Sequence, residues 1–420
     1  MSTDLERSIS EIKICDTHEH LWHEDKWREQ PPDVIHELFD NYVKADFVCA
    51  GADDASLKRL FDTSNADIPS RFEPVKEVWA NIQFTGYGEA SKIIAKKFFD
   101  IDEIDSAGLA RAQEALPESW PGGDRLNVLR DTAGLHHVQV DDFVMPCERD
   151  DSGPDFFLYD ISWVRLCCGN FKPHLLHTVS GVEVTGLDSL REAMARIFEK
   201  YAADAVAVKA QHAYSRTLLW EERADDDAAR ILERHINKEE LTVEERNCLG
   251  DWCWSRGVEL AIEHDLPFKI HTGYYAGNDR MPVDFIKPGN LCALLAKYPQ
   301  ARFVLMHISY PYWEELIALT KHYGNVWADL CWAWSINPYA SGEFLKSAIH
   351  CAPVNKVFAF GGDTMRPRAA AAYAMQARNG IARALQEEVA SGRLKESEAI
   401  GVADAVLQGN QFACFPRVVR

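Results

Sequence analysis

The chain begins its first apolar run with Ile12-Lys13-Ile14-Cys15-Asp16-Thr17-His18-Glu19-His20. If this run forms a β-strand, residues two apart face the same side, so His18 and His20 point in the same direction. Two imidazoles on one face at the end of a strand can hold one metal ion, although paired histidines are also common on protein surfaces. The stretch therefore predicts a strand that delivers metal-competent side chains at its carboxyl end.

Similar apolar runs recur along the chain, and each ends in a polar residue. The clear runs end at Lys209, His271, His307, Asp329 and Asp363, and two vaguer runs end at Asp141 and Arg165. Stretches with helical periodicity, such as 187–201, lie between the runs. Strand-sized runs that alternate with helices indicate a parallel sheet, and eight runs match a closed (β/α)₈ TIM barrel. The competing fold, a doubly wound open sheet, usually has a glycine-rich turn after its first strand, and this sequence has none there.

One long segment does not fit the strand–helix alternation. Residues 24–130 contain helix-like pieces at 34–44, 89–99 and 106–116, and we interpret the segment as a helical insertion after strand 1. Residues 1–23 and 131–420 then form the barrel. Because the insertion leaves the barrel directly after the histidine pair, it must start at the catalytic face. We therefore expect it to cover the mouth of the barrel and to shape the pocket.

The composition excludes several classes of partner. The formal net charge is −20 and no basic face is visible, so nucleic acid is not expected as a partner. No apolar run approaches the roughly 18 residues of a transmembrane helix, so no membrane partner is expected. The 11 cysteines form no CxxC pair and the amino terminus is polar, which favours a cytoplasmic protein with reduced thiols. We expect a homo-oligomer that acts on a small molecule.

Metal-competent side chains stand at several strand ends. In a barrel these ends meet at the carboxyl-terminal face, where active sites lie. His18, His20, His271 and Asp363 would offer three imidazoles and a carboxylate to one divalent metal. That donor set suits zinc best, with manganese, iron and cobalt as alternatives. A single buried histidine would be an ordinary core residue, but the agreement of several strand ends favours a metal site.

The ordered motifs resemble one family. They are Asp16-Thr17-His18-Glu19-His20, Phe268-Lys269-Ile270-His271-Thr272-Gly273, Phe303-Val304-Leu305-Met306-His307, Phe360-Gly361-Gly362-Asp363 and, near the end of the chain, Gly409-Asn410-Gln411-Phe412-Ala413. Together they resemble the amidohydrolase superfamily, and within it the amidohydrolase 2 branch. The resemblance covers about residues 12–23 and 135–420. The insertion is similar in position to the one in uronate isomerase relatives.

The resemblance carries roles for individual positions. In that branch the first-strand pair, the fifth-strand histidine and the eighth-strand aspartate bind one metal, which implies His18, His20, His271 and Asp363 here. The sixth-strand histidine, here His307, lies beside the metal and assists catalysis. The resemblance further implies that Asp363 is the base that accepts a proton from metal-activated water.

Three residues are candidates for binding the substrate. Lys209 can hold a substrate carboxylate or carbonyl, but it can also be a carboxylated lysine that bridges two metals, or part of a structural ion pair. Arg165 can bind a carboxylate bidentately, or it can form a salt bridge at the barrel rim. Tyr274 directly follows His271 and is a candidate for the pocket wall. Two long cations at strand ends predict a carboxylate-bearing substrate.

These observations lead to a metal-dependent hydrolase. Metal-activated water, oriented by Asp363 and His307, would attack an amide, ester or lactone carbonyl. A non-hydrolytic reaction at the same site, either uronate isomerase-like isomerisation or decarboxylation, is the alternative, because loops set the chemistry on a shared fold. A metal-binding protein without catalysis would not need His307 in addition to a full ligand set.

Overall fold

The computed structural model describes residues 4–141 and 150–419. Its centre is a single sheet of eight parallel strands in the order β1 to β8. The strands are β1 Ile14–Glu19, β2 Leu135–Val140, β3 Phe157–Ser162, β4 Ala205–Ala210, β5 Phe268–Ile270, β6 Phe303–Leu305, β7 Val326–Asp329 and β8 Val357–Phe358. Backbone hydrogen bonds from Thr17 to Phe360 (3.1 Å) and from Asp363 to His18 (2.8 Å) join the segment that follows β8 to β1 and close the barrel. The predicted TIM barrel is confirmed.

Helices surround this barrel. One helix precedes β1, namely α1 Asp4–Glu11. The insertion after β1 contains α2 Glu24–Arg28, α3 Val34–Phe39, α4 Val43–Cys49, α5 Asp54–Leu60, α6 Ile68–Phe72, α7 Lys76–Ile82, α8 Gly86–Phe99, α9 Ser106–Glu114 and α10 Asp124–Leu126. The barrel helices are α11 Val164–Cys167, α12 Pro173–Ser180, α13 Leu187–Tyr201, α14 Asp225–Ile236, α15 Val243–Glu263, α16 Cys292–Lys297, α17 Trp313–His322, α18 Ala333–Ile336, α19 Pro338–Cys351 and α20 Pro367–Ala390. The chain ends with α21 Glu396–Asp404 and α22 Asn410–Cys414. Within the described ranges, no helix has the length and apolar character to span a membrane.

A buried ion pair links several strands inside the barrel. Lys269 on β5 lies 2.5 Å from Asp160 on β3, and neither side chain is exposed. The same ammonium donates to the Thr17 carbonyl at 2.7 Å and to Gln139 Oε1 at 3.1 Å. A buried charge is tolerated only when it is paired and hydrogen-bonded, and Lys269 meets both conditions. The pair therefore holds β1, β2, β3 and β5 in place without an uncompensated charge.

The insertion is ion-paired to the loop and helix that follow β8. Arg366 pairs with Asp40 at the end of α3. Arg368 lies 2.8 Å from Asp124 of α10 and 3.4 Å from Glu37 of α3. All but Asp40 are largely buried. We call Arg366 and Arg368 the arginine clamp, because they attach the insertion to the segment that carries Asp363.

A buried histidine predicts how stability depends on pH. Burial lowers the pKa of His212 well below 6.5, and the charge of Arg216 acts in the same direction. The unfolded chain therefore binds a proton below about pH 6.5 that the folded chain does not bind, so stability is lost as the pH falls. When the pH is lowered from about 7.5 to about 5.5, the unfolding free energy of the natural protein should fall. The unfolding free energy of His212→Leu should fall by about 1.4 kcal/mol less.

Urea unfolding at both pH values measures this difference. The exposed His322 provides the control, because His322→Leu should follow the natural protein at both pH values. Equal losses in the natural protein and in His212→Leu would show that His212 takes up its proton in the folded state.

Candidate active site

Four of the predicted site residues meet at the carboxyl-terminal end of the barrel. Asp363 Oδ1 lies 3.2 Å from His18 Nε2 and 3.1 Å from His20 Nε2. Asp363 Oδ2 lies 3.7 Å from His307 Nε2. All four side chains are largely buried, so Asp363 is the centre of a desolvated cluster of nitrogen and oxygen donors.

His271 joins this cluster through His307. Its Nδ1 lies 2.9 Å from His307 Nε2, and the two rings are 4.3 Å apart. Burial lowers the pKa of His271 well below its usual value and lowers that of His307 to about 4. Both imidazoles are therefore neutral near pH 7, and each has a lone pair available.

Backbone carbonyls decide which nitrogen of three histidines carries the proton. A carbonyl can only accept a hydrogen bond, so the ring nitrogen facing it must donate, and the other nitrogen keeps its lone pair. These contacts join His20 Nδ1 to the carbonyl of Asp141 (2.6 Å), His271 Nε2 to that of Tyr274 (3.1 Å) and His307 Nδ1 to that of Cys331 (3.0 Å). A hydrogen bond from the second ring nitrogen orients a metal-binding histidine in this way.

The donor set fits a divalent metal. The lone pairs of His271 Nδ1 and His307 Nε2 face each other, and that of His20 Nε2 faces a carboxylate oxygen. Acceptors at these separations repel one another unless a cation or a proton lies between them. Imidazole nitrogens with a carboxylate oxygen are ligands that Zn²⁺ prefers, and three such ligands with an open position are typical of catalytic zinc.

Lys209 lies directly beside the histidine pair. Its Nζ is 3.0 Å from His18 Nε2 and 3.3 Å from Gln211 Oε1, and the side chain is fully buried. Burial lowers its pKa, while the charges of Asp141 and Asp363 act in the opposite direction. Lys209 lies next to a predicted metal ligand, and its role as a substrate-binding, metal-bridging or structural residue stays a prediction.

A cavity of about 380 Å³ opens above the cluster. Its walls are His20, Asp40, Asn41, Tyr42, Gln211, Tyr214, His271, Ala276, Asp363, Thr364 and Met365. Three of these residues, Asp40 to Tyr42, belong to the insertion. The Tyr42 hydroxyl donates to the Asp363 carbonyl, and its ring lies 4.3 Å from that of Trp332. The insertion therefore forms part of the cavity wall, as we expected of a segment that starts at the catalytic face.

None of the three predicted substrate residues lines this cavity in the described part of the chain, although Lys209 lies directly behind it, 3.3 Å from the lining residue Gln211. Arg165 lies on α11 with its side chain exposed. Tyr274 is half-buried, its carbonyl accepts from His271, and its ring packs 6.0 Å from that of Trp332. Gln211 and Tyr214, which do line the cavity, follow Lys209 closely in sequence, but nothing in their spacing distinguished them from ordinary loop residues.

The loops that carry the site contain left-handed backbone at residues that are not glycine. The φ angles are 60° at His307, 45° at Ile308, 51° at Ser309, 60° at Trp332 and 57° at Asp363. Each such residue costs about 1–3 kcal/mol, and such residues cluster at functional sites. Here the unusual backbone turns His307 and Asp363 back over the barrel mouth after very short strands.

Fold and site together define a (β/α)₈ barrel with a histidine–carboxylate centre of the kind used by metal-dependent enzymes. The chain belongs to the amidohydrolase family, whose model matches residues 175–392. Over 164 residues it is 29% identical to Protein fluG of Emericella nidulans. That match covers 35% of this chain and only 19% of the fungal protein, so the chain spans about a fifth of that relative.

Solved structures with the same fold match nearly the whole chain. Uronate isomerase from Thermotoga maritima has a TM-score of 0.78 at 15% identity, covering 98% of this chain and 96% of that one. Glucuronate isomerase from Caulobacter crescentus has a TM-score of 0.75 at 14% identity, with coverage of 99% and 94%. A Lactobacillus casei protein named as a metal-dependent hydrolase has a TM-score of 0.67 at 13% identity, with full coverage of both chains. At these identities the likeness concerns the fold.

Proposed function

We propose that this protein is a metal-dependent hydrolase that attacks an amide, ester or lactone carbonyl of a small, carboxylate-bearing substrate. The observation that carries the proposal is the convergence of lone pairs from His20, His271 and His307 with the Asp363 carboxylate at the base of a cavity. A divalent ion bound there, with zinc as our assignment, would polarise the substrate oxygen and lower the pKa of water.

Asp363 is placed to move the proton. Its Oδ1 faces His18 and His20, while Oδ2 points toward His307 at the longer distance of 3.7 Å. In this proposal Oδ2 accepts a proton from the attacking water and passes it to the leaving group. His307 can only accept at Nε2, because Nδ1 donates to the Cys331 carbonyl, so it does not supply the proton.

Donors on one side of the cavity suit a substrate carboxylate. Gln211 uses its Oε1 to accept from Lys209, which leaves its NH₂ group to donate. The Tyr214 hydroxyl accepts from the Ala276 amide at 2.9 Å and keeps its own proton to donate. With the ammonium of Lys209 these groups form a set of donors beside the metal ligands. We therefore assign the anchor to Lys209, Gln211 and Tyr214, and not to the exposed Arg165.

Exchanging Lys209 for methionine should lower kcat/KM for the carboxylate-bearing substrate by about 10- to 100-fold, because a hydrogen bond to a charged group is lost. The matched control is Arg165→Met, which removes the other cation and should change kcat/KM by no more than about twofold, as expected for an exposed residue. The measurement is kcat/KM for the carboxylate and for its neutral amide. An equal loss on both substrates, or a larger loss in Arg165→Met, would contradict the assignment.

Isomerisation of a sugar acid is the second candidate. The match to uronate isomerase from Thermotoga maritima favours this reaction. That match extends over 98% of this chain, so it includes the insertion. Both reactions use a metal or a base beside a carbonyl, so the ligands alone do not separate them.

Reactions in isotopically labelled water separate the two candidates. Hydrolysis places one oxygen atom from water in the product, whereas isomerisation exchanges a carbon-bound hydrogen with solvent and adds no oxygen. The zinc-loaded protein would be assayed with lactones, N-acyl amino acids and uronates, and the products analysed by mass spectrometry. We expect incorporation of oxygen from water; hydrogen exchange without it would replace the hydrolase by an isomerase.

A further inference from the structure

Three metal-competent side chains lie together at the amino-terminal end of the barrel, opposite the cavity. They are Cys15 on β1 and the adjacent pair His136 and His137 on β2, and their ligand atoms all lie within 4.8 Å of one another. Cys15 and His137 are buried, whereas His136 is partly exposed. Both strands start here, so this group belongs to neither the catalytic centre nor its cavity.

A bulge between the two strands creates the group. Ile14 pairs with Leu135 and Cys15 pairs with His137, so His136 is an extra residue in β2. In a regular strand, neighbouring side chains point to opposite faces. A bulge re-aims a side chain, and here it brings the two imidazoles together with Nδ1 atoms 3.0 Å apart.

We propose that Cys15, His136 and His137 bind a second zinc ion, separate from the catalytic metal. Thiolate sulfur and imidazole nitrogen are the preferred ligands of structural Zn²⁺, and in a tetrahedral site two nitrogens lie about 3.3 Å apart. The two Nδ1 atoms are already close to that separation. Because His136 is partly exposed, the ion can enter from solvent and a water molecule can complete the coordination.

Zinc binding would change the protonation of His137 and of Cys15. Without a metal, His137 carries a proton on Nδ1 and donates it to His136, because its Nε2 faces the amide nitrogen of Gln139 at 3.4 Å. Zinc binding moves that proton to His137 Nε2 and releases the thiol proton of Cys15 to solvent. Gln139 then turns its amide oxygen toward Nε2–H, which is the backing that metal-binding histidines require. That rotation points the Gln139 NH₂ group toward the Lys269 ammonium, so the ammonium must turn to its two other partners, the Thr17 carbonyl and Asp160.

The position indicates a structural role. The amino-terminal face of a TIM barrel serves stability and not catalysis. The closing helix α22 contacts the group at two points: Gln411 donates to the Cys15 carbonyl at 2.6 Å, and the Phe412 ring packs 5.2 Å from that of His136. An ion at this point would join β1, β2 and the end of the chain, and its binding would stabilise the folded state.

Metal counting tests the proposal without any substrate. The chelator-stripped protein is reloaded with zinc, dialysed and measured by elemental analysis. We expect two equivalents in the natural protein and one in Cys15→Ser and in His136→Asn. His20→Asn, which alters the catalytic centre, should keep the equivalent bound by Cys15, so failure of one site leaves the other measurable.

Cobalt adds a spectroscopic signature. Reloading with Co²⁺ should produce a thiolate-to-cobalt charge-transfer band that is lost in Cys15→Ser. The matched control is Cys331→Ser, because Cys331 lies beside His307 and Asp363 and is the other thiol that residues 4–141 and 150–419 place in a group of metal-competent side chains. The band should persist in that control. A band lost only in Cys331→Ser would overturn the proposal.

Three further outcomes would also overturn it: a single equivalent in the natural protein, two equivalents retained in His136→Asn, or a second equivalent lost only in Lys209→Ala. The last result would place both metals at the catalytic centre.

If Cys15→Ser fails to fold, His136→Asn decides the question, since the side chain of His136 is partly exposed. Chelation should lower the thermal midpoint of His20→Asn, and it should do so less when His136→Asn is added.

Discussion

Replacing Asp363 by asparagine should lower kcat by about a thousandfold or more, because a general base contributes about 10²–10⁴ to the rate. Asparagine keeps an oxygen that can still face His18 and His20, but an amide does not accept a proton near pH 7. The backbone should tolerate the change, since Asp363 has a φ of 57° and asparagine adopts left-handed backbone readily. The measurement is kcat, together with the zinc content of the variant.

Asp279→Asn is the control for this variant, because Asp279 also has left-handed backbone, with a φ of 68°, but its side chain is exposed. It should retain most of the activity. If Asp363→Asn bound zinc and remained fully active, another group would have to move the proton, and the mechanism proposed for Asp363 would be wrong.

Gly273→Ala should destabilise the protein by about 3 kcal/mol or more and reduce turnover as well. Gly273 has a φ of 75°, and a Cβ there would lie 2.6 Å from backbone atoms of Ser309 and Tyr310. Left-handed backbone costs an alanine about 1–2 kcal/mol, and overpacking adds about 1–3 kcal/mol. Relief of the overlap would push the loop that carries His307 away from His271. Urea unfolding and kcat would measure the two effects.

Gly342→Ala is the matched control for the glycine change. Gly342 lies within α19, and an added Cβ there would meet no atom within 4 Å. This substitution should stabilise the protein by about 0.5–1 kcal/mol, because glycine is unfavourable inside a helix. If Gly273→Ala were as stable as Gly342→Ala, the loops after β5 and β6 would not be as closely packed as the structure indicates.

Much of the fold could be predicted from local patterns. The periodicity of residues 187–201 predicted a helix, and α13 spans Leu187–Tyr201. The first run placed a strand before His18 and His20, and β1 ends at Glu19. Parallel strands of a barrel are buried on both sides, so in the sequence each strand is a short apolar run followed by a polar residue. The same polar ends pointed to His18, His20, His307 and Asp363.

Other parts of the site depend on contacts that are distant in sequence. Tyr42 reaches Asp363 across 321 positions, and no periodicity within the insertion singles it out. The protonation pattern of His307 depends on the Cys331 carbonyl, which only the folded loops bring within reach. Arg165 ended a vague run, but α11 begins one residue before Arg165 and turns the arginine side chain to solvent.

The roles of the site residues, the homo-oligomer and the cytoplasmic location remain predictions.

The arginine clamp has a consequence for recombination among relatives. Arg366 and Arg368 follow Asp363 by three and five positions, yet their carboxylate partners lie in the insertion. A chimaera whose residues 24–130 came from a relative without carboxylates at positions 37, 40 and 124 would leave two guanidinium groups without their partners. An unpaired buried charge costs several kcal/mol. Exchange with such a relative therefore requires that the insertion and residues 363–368 move together. In this barrel, the charges of the segment that shapes the cavity must match those of the segment that supplies the carboxylate.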